Sequence, residues 1–236
     1  MDSRNSPNAT RFDDFAISYD HALAMGLSAT GEDRDFFARG RIEVLRKHLG
    51  RMQFQPHHAM EFGCGTGSNL PLLLEMTGAK SVLGLDVSEK SIEMARGSLN
   101  SSAMTFAHPD RYRPEARIDL AFCNGVFHHI DPAMRLSVVK YVLECLRPGG
   151  LFALWENNPW NPGTRLVMSR IPFDKDAITL TPSEGRRMLT AGGFRIVSSD
   201  YAFLFPRALR WLRPLETPLC RLPIGGQYQL LAIKPE

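Results

Sequence analysis

The stretch AMEFGCGTGSN, residues 59–69, combines an acid, Glu61, with three alternating glycines. An apolar run leads into it and a helical pattern follows, so the stretch is a strand-to-helix loop whose glycines let a ligand approach the backbone. The spacing departs from the dinucleotide fingerprint, because Ser68 stands where the third glycine belongs, and the lysine of a P-loop is absent. The pattern predicts a ligand-binding loop, and a tight turn without a ligand is the alternative.

A second acid, Asp86, ends the next apolar run, SVLGLDV, about 20 residues beyond the loop. A carboxylate at this place can accept hydrogen bonds from both hydroxyls of a ribose. The alternative is that Asp86 only caps the helix that begins near Ser88.

Three side chains that follow later apolar runs can move a proton. His128 and His129 come after IDLAFCN, and Glu156 ends LFALWE. An imidazole titrates near neutrality and can accept a proton from a hydroxyl or an acidic carbon. Adjacent side chains of an extended segment point to opposite sides, so one histidine is expected to face the site. We predict His128 as the catalytic base and Glu156 as a second candidate; the alternative is that these residues pack or cap nearby elements.

The histidine and cysteine patterns predict neither a metal ligand nor a disulfide. The doublets His57-His58 and His128-His129 fit no metal-binding spacing. The four cysteines are scattered without a C-x-x-C pair, which favours a reduced, cytoplasmic setting.

Strands and helices must bring these residues together, and the pattern of apolar residues predicts where those elements lie. Runs typical of strands alternate with helical patterns, which predicts an α/β fold with a mostly parallel sheet. The residues expected to cap the starts of helices are Asp33, Ser88, Asp131 and Thr181. The last two predicted strands have no helix between them and are expected to pair antiparallel at one edge. The predicted organisation is an N-terminal tail and helical cap over residues 1–55, with residues 1–11 disordered, followed by one domain over residues 56–236.

The composition excludes several classes of protein. The chain has 236 residues, 44% of them hydrophobic and 22% charged, and a net charge of +3, as expected of a globular domain but not of a dedicated nucleic-acid binder. Its polar N-terminus resembles no secretory signal, and no apolar run reaches the roughly 18–20 residues that cross a bilayer.

The sequences EFGCGTGSN and GLDVS together resemble motif I and the following motif of class I S-adenosylmethionine-dependent methyltransferases, in the style of the ubiquinone/menaquinone-methylase branch. The resemblance covers about residues 12–155 and implies a Rossmann-like seven-stranded sheet, an N-terminal lid that includes Phe12, and S-adenosyl-L-methionine as the cofactor. It departs from the family at His108-Pro109. The cofactor-binding residues that the resemblance implies are Tyr19, Glu61, Gly63, Cys64, Gly65, Gly67, Asp86, Val87, Asp110, Arg111, Cys123, Asn124 and Gly125.

The resemblance further implies methylation of a small-molecule acceptor at oxygen or carbon, with lipid-linked and quinone- or phenol-like acceptors included. The alternatives are a non-catalytic methyltransferase-like binding subunit and an NAD-dependent oxidoreductase. Residues 205–223 combine leucines and Trp211 with four arginines. This segment is either a flap on the substrate side, which we favour, or a surface that meets a membrane or a lipid-linked substrate.

Overall fold

The computed structural model describes residues 19–236, in which strands and helices alternate along the chain. The strands are β1 His58–Phe62, β2 Ser81–Leu85, β3 Met104–Ala107, β4 Ile118–Asn124, β5 Leu146–Asn157, β6 Arg195–Ala202 and β7 Gln227–Ile233. The α-helices are α1 Tyr19–Leu27, α2 Arg34–Arg51, α3 Leu70–Thr77, α4 Glu89–Ser98, α5 Pro132–Cys145, α6 Pro162–Ser169, α7 Pro182–Ala191 and α8 Glu216–Leu219. Short 3-10 helices cover Ser28–Thr30, Pro109–Arg111, Phe127–His129, Pro172–Asp174 and Arg207–Leu215.

The strands form one seven-stranded sheet in the order β3-β2-β1-β4-β5-β7-β6. Neighbours from β3 to β5 pair in parallel, whereas β7 runs antiparallel to both β5 and β6. The predicted fold class, a Rossmann-like, mostly parallel sheet with an antiparallel edge, is confirmed. The structure adds that β7 is inserted between β5 and β6. The order reverses between β1 and β4, and such a switch point opens a crevice at the carboxyl ends of the strands.

Helices cover both faces of the sheet and bury two apolar layers. On one face, α2 contributes Ile42, Leu45 and Leu49 to a core that also contains Phe122 of β4. On the other face, α5 and α7 pack on β4 and β5 through a second set of buried side chains, among them Cys123, Val139, Val142 and Leu189. Parallel strands covered on both faces read as nearly continuous apolar runs, which is why the sequence pattern identified them.

Side-chain caps begin the helices where the sequence predicted them. Asp33 accepts a hydrogen bond from the backbone N–H of Phe36, and Ser88 accepts one from that of Ser91. Asp131 and Thr181 cap α5 and α7, and a proline follows each of them at the first helical position. These caps fix where each helix starts and therefore where the preceding loop lies.

The segment 205–223 lies against the corner between α1 and α2. The Arg213 guanidinium pairs with Glu32, with 2.7 Å between Nη2 and Oε1, and stacks 4.4 Å from the centroid of the Phe36 ring. Arg207 also donates a hydrogen bond to the carbonyl of Gly31. Within residues 19–236, the structure contains no helix that is both long and apolar enough to cross a membrane.

Candidate active site

A cavity of about 300 Å³ lies beyond the carboxyl ends of β4 and β5. Side chains of α1, α2 and α6 and residues 203–206 form its walls. The polar residues that end or follow the two strands form its floor and include Asn124, Gly125, His128, His129 and Asn157. Polar and charged groups thus lie among apolar side chains in one cavity, an arrangement typical of small-molecule sites.

The glycine loop after β1 adopts left-handed backbone conformations, with φ of 76° at Gly63, 52° at Gly65 and 79° at Gly67. A Cβ at Gly63 would lie 2.3 Å from Val126 Cγ2, and one at Gly67 would lie 2.8 Å from Leu99 Cδ1. A Cβ at Gly65 would meet no atom of the described residues within 4 Å. Gly63 and Gly67 are thus required by packing, whereas the space in front of Gly65 is open to a ligand.

The carboxylate of Glu61, at the end of β1, is buried and only half satisfied. Its Oε1 accepts a hydrogen bond from Asn69 Nδ2 at 2.7 Å, but Oε2 has no hydrogen-bond partner among the described residues. Burial raises the pKa of Glu61 to about 8. An unsatisfied buried carboxylate oxygen is costly, and a donor on a bound ligand would remove that cost. This fits the predicted place of Glu61 beside the amino end of the cofactor.

Asp86 ties the glycine loop to the start of α4. Its Oδ2 accepts a hydrogen bond from the backbone N–H of Gly65 at 2.7 Å, and its Oδ1 accepts one from that of Ser88 at 2.9 Å. Burial raises the pKa of Asp86, although these backbone donors oppose the shift. The capping interaction is therefore present, and it holds the carboxylate beside the loop where ribose binding is predicted.

The predicted adenine contacts lie on the neighbouring loops after β2 and β3. Val87 is exposed, and the Arg111 guanidinium after β3 pairs with Glu89 of α4 at 2.9 Å. The backbone N–H of Asp110 donates to Nδ1 of His108, and the half-exposed Asp110 carboxylate lies 3.8 Å from the same nitrogen. The two loops are thus adjacent, and the adenine assignment stays a prediction.

The side chains of the two cysteines assigned to the cofactor site are buried in the core. Cys123 is fully buried among residues that pack against α5, and its contact with the cofactor stays a prediction. Side chains alternate along β4, and it is Asn124 that faces the cavity. The Cys64 side chain is also buried, under the loop, so that only its backbone is available to a ligand.

Asn124 and Gly125 line the cavity, and their predicted contact with the cofactor stays a prediction. The Oδ1 of Asn124 is buried without a hydrogen-bond partner among the described residues. A donor on a bound molecule could supply the missing hydrogen bond. Phe12 and the side chain of Tyr19, predicted parts of the lid, lie outside the described residues.

The two histidines after β4 do not diverge as predicted. Residues Phe127–His129 form a 3-10 helix rather than an extended segment, and both imidazoles line the cavity with 4.1 Å between ring centroids. Asp174 approaches both rings: its Oδ1 lies 3.6 Å from His128 Nε2 and 3.3 Å from His129 Nε2. The expectation that only one histidine faces the site is corrected by this local helical geometry.

The His128 imidazole is held between the carboxylates of Glu156 and Asp174. Its Nδ1 lies 2.6 Å from Glu156 Oε2, and Glu156 Oε1 accepts the backbone N–H of Phe127. Burial alone would lower the pKa of His128, but Glu156 and Asp174 outweigh it and raise the pKa to about 10. The role of catalytic base stays a prediction for His128 and for Glu156.

Sequence reasoning missed Asp174, Arg41 and Gln227. Asp174 belongs to the segment PFDKD, which has no motif or spacing that would indicate a site. Arg41 is buried, and its Nη1 donates to Gln227 Oε1 at 3.0 Å at the edge of the cavity. A signal for Arg41 was readable, because it is a charged residue on the apolar stripe of α2 that includes Ala38, Ile42 and Leu45.

The strand order, the single antiparallel strand β7 and the ligand loop after β1 define the fold of class I methyltransferases. Residues 60–152 match the sequence model of the family described as "Methyltransferase domain". The resemblance of motif I to class I S-adenosylmethionine-dependent methyltransferases is thereby confirmed, whereas the ubiquinone/menaquinone-methylase branch stays a prediction. The family and the fold indicate S-adenosylmethionine as the cofactor, and the open space at Gly65 and the unsatisfied oxygens of Glu61 and Asn124 fit such a ligand.

The chain is similar over part of its length to curated enzymes. It is 33% identical over 119 residues to trans-aconitate 2-methyltransferase of Rhizobium leguminosarum bv. trifolii, covering 50% of this chain and 46% of that protein. It is 27% identical over 146 residues to trans-aconitate 2-methyltransferase of an Azoarcus species, covering 61% of this chain and 57% of that protein. The chain thus spans about half the length of the curated relatives it matches.

Solved structures share the whole fold at low identity. A putative methyltransferase of Haloferax volcanii, in complex with the Trm112 methyltransferase activator, aligns with a TM-score of 0.66 and 18% identity, covering 95% of this chain and 98% of that chain. An S-adenosylmethionine-dependent methyltransferase of Mesorhizobium loti aligns with a TM-score of 0.57 and 20% identity, covering 82% of this chain and all (100%) of the other. At these identities, the likeness establishes the fold.

Proposed function

We propose that this chain is an S-adenosylmethionine-dependent methyltransferase that acts on a small-molecule acceptor. The observation that carries the proposal is the adjacency of the ligand loop and the cavity. A Cβ at Gly63 would touch Val126 at 2.3 Å, and Gly125, the residue before Val126, lines the cavity. A cofactor on the loop and an acceptor in the cavity would therefore meet across Gly125.

S-adenosylmethionine, when bound, supplies a methyl group on a positively charged sulfur, which is already an activated electrophile. What remains for the protein is to hold the acceptor close, in the correct orientation and away from water. Positioning of this kind can lower a barrier by roughly 7–11 kcal/mol. The apolar side chains of the cavity walls offer water few hydrogen bonds, and Asn157 in the polar floor can orient an acceptor through hydrogen bonds.

The cavity walls favour an acceptor with an apolar body. Five phenylalanines line it, two from α2, one from the 3-10 helix Pro172–Asp174 and two from the segment after β6, together with leucines of α1: Phe36, Phe37, Phe173, Phe203, Phe205, Leu23 and Leu27. This lining supports a quinone- or phenol-like acceptor, methylated at oxygen or carbon. A second candidate is a small polycarboxylate such as trans-aconitate, the acceptor named for the relatives. Arg34 and Arg41 in the lining favour it, because both can pair with carboxylates.

The surface around the segment 205–223 supports an amphiphilic or lipid-linked acceptor. The segment contains four arginines and one glutamate, a net charge of +3 that equals the net charge of the whole chain. Leu209, Trp211 and Leu215 are exposed, Trp211 by 72%. Exposed apolar side chains among arginines suit the interface of an anionic membrane. The contacts of Arg207 and Arg213 with the α1–α2 corner also support the role of a flap.

The proposal is tested first by calorimetric titration with S-adenosylhomocysteine and, separately, with NAD. Saturable binding of the first alone supports the methyltransferase, whereas binding of NAD alone supports an oxidoreductase. Transfer of labelled methyl is then measured with a phenolic quinol, a lipid-linked phenol and trans-aconitate as acceptors. Cofactor binding without transfer to any acceptor, even in a single turnover, would favour a non-catalytic binding subunit.

A further inference from the structure

Three side chains with metal-ligating atoms converge in the cavity. His128, His129 and Asp174 each offer one ligand atom, and these atoms all lie within 4.8 Å of one another. His128 and Asp174 are buried, and all three residues line the cavity. The histidines are adjacent in sequence, but the carboxylate comes from the 3-10 helix Pro172–Asp174, so the cluster exists only in the folded chain.

The spacing of the ligand atoms matches what a small divalent ion needs. For metal–ligand bonds of about 2.0–2.1 Å in a tetrahedral arrangement, neighbouring ligand atoms stand about 3.3 Å apart. Asp174 Oδ1 lies 3.3 Å from His129 Nε2 and 3.6 Å from His128 Nε2. All three ligand atoms lie within 4.8 Å of one another, so an ion between them would draw them closer together.

Glu156 has the position of a carboxylate that orients a ligating histidine. It accepts from Nδ1 of His128 at 2.6 Å, which directs Nε2 of that ring toward Asp174. Its other oxygen is fixed by the backbone N–H of Phe127 at 2.7 Å. Metal-bound histidines almost always donate their second ring nitrogen to such a partner, which fixes the ring and raises its basicity as a ligand.

We propose that His128, His129 and Asp174 bind a divalent transition-metal ion, with Glu156 as the residue that positions His128. Two imidazoles and one carboxylate suit ions such as Zn²⁺ or Co²⁺, whereas Mg²⁺ and Ca²⁺ prefer oxygen ligands. Three protein ligands leave coordination positions open toward the cavity. The role of the ion rests on the proposed function: an acceptor hydroxyl bound at an open position would lose its proton more readily. Binding of the ion itself does not depend on methyl transfer.

The test uses the untagged full chain, freed of metal by a chelator and without cofactor or acceptor. Co²⁺ is added while the visible absorption is recorded, and Zn²⁺ binding is measured by calorimetry. We expect one ion per chain. Asp174→Asn and His129→Gln should each weaken Zn²⁺ binding by more than about tenfold, with Glu156→Gln causing a smaller loss. Circular dichroism establishes that each variant is folded.

Two control variants separate this site from adventitious binding. His48 and Asp200 form another buried pair, with 2.9 Å between Nε2 and Oδ2, and Asp200→Asn should leave ion binding unchanged. His58→Gln alters the other, exposed histidine doublet and should also have no effect. Absence of saturable Co²⁺ and Zn²⁺ binding to the parent chain overturns the proposal, as does equal binding by a folded Asp174→Asn variant. Because S-adenosylhomocysteine is titrated separately, failure here is distinguishable from failure of the methyltransferase assignment.

Discussion

Asp86 Oδ2 accepts the backbone N–H of Gly65 at 2.7 Å, which joins two residues that lie 21 positions apart in the chain. The bond holds the middle glycine of the ligand loop in place, while the other oxygen of Asp86 starts α4. The Asp86 carboxylate thus holds the ligand loop in place and lies where a ribose is predicted to bind.

Asp86→Ala should weaken the binding of S-adenosylhomocysteine by more than about tenfold, or about 1.4 kcal/mol, because both the ribose acceptor and the loop anchor are lost. Calorimetry measures this affinity. Asp131→Ala is the matched control, since Asp131 Oδ1 also accepts the backbone N–H two residues ahead, but at the start of α5. Unchanged affinity in a folded Asp86→Ala variant would show that Asp86 is only a cap.

Gly65→Ala should leave the protein folded but abolish detectable cofactor binding. The left-handed backbone costs an alanine about 1–2 kcal/mol, and its methyl group would occupy the open space in front of the loop. Gly78→Ala is the matched control. Gly78 also has a left-handed backbone, and a Cβ there would meet no atom of the described residues within 4 Å, but Gly78 lies at the end of α3, away from the ligand loop. Equal cofactor affinity in these two variants contradicts the assignment of the loop.

Glu61 should make the stability of the ligand-free protein fall as the pH rises. Its pKa in the folded protein is about 8, above the ordinary value of 4.5, so the folded state binds the proton more tightly. The free energy of unfolding therefore decreases as the pH rises from the ordinary pKa to the folded-state pKa. Outside this range the contribution of Glu61 does not change with pH.

Denaturation at about pH 5 and about pH 8 measures this effect. Glu61→Gln should reduce the difference between the two stabilities, whereas Glu75→Gln, at an exposed carboxylate of α3, should not. An undiminished pH dependence in Glu61→Gln means that another group is responsible.

Asp119→Ala should destabilise the fold by about 2–3 kcal/mol without altering the site. Asp119 accepts the backbone N–H groups of His57 and His58, both at 2.8 Å, and pairs with Arg147. Although burial opposes the shift, these partners lower its pKa, so its contribution is present above the ordinary value of 3.8 and is lost as the pH falls below it. Chemical denaturation measures the loss. Asp35→Ala, which breaks an exposed pair with Arg39, should leave the denaturation midpoint unchanged.

The full chain should sediment with anionic phosphatidylglycerol vesicles and not with neutral phosphatidylcholine vesicles. The double variant Arg210→Glu/Trp211→Ala should bind about tenfold more weakly, because it loses positive charge and an exposed aromatic ring. Met94→Ala/Met134→Ala removes exposed apolar side chains from α4 and α5 and serves as the control. If both variants sediment like the parent chain, the segment 205–223 is a flap and not a membrane contact.

The sequence by itself determined the architecture and the ligand loop. Strands buried on both faces must be apolar along their whole length, and a loop that a ligand approaches closely must contain glycine, so both leave local signals. The helix caps could also be predicted from local sequence, because a cap side chain bonds to the backbone within one helical turn. These caps are Asp33, Ser88, Asp131 and Thr181.

Only the tertiary structure decided the composition of the cavity. Asp174 reaches the histidines after β4 from a segment without any signal of its own, since nothing in a sequence records which loops meet above a sheet. The 3-10 turn at Phe127–His129 places both imidazoles on one side, where an extended chain would have separated them. The raised pKa of His128 follows from two carboxylates supplied by other parts of the chain, because electrostatic interactions depend on distance in space and not on distance along the sequence.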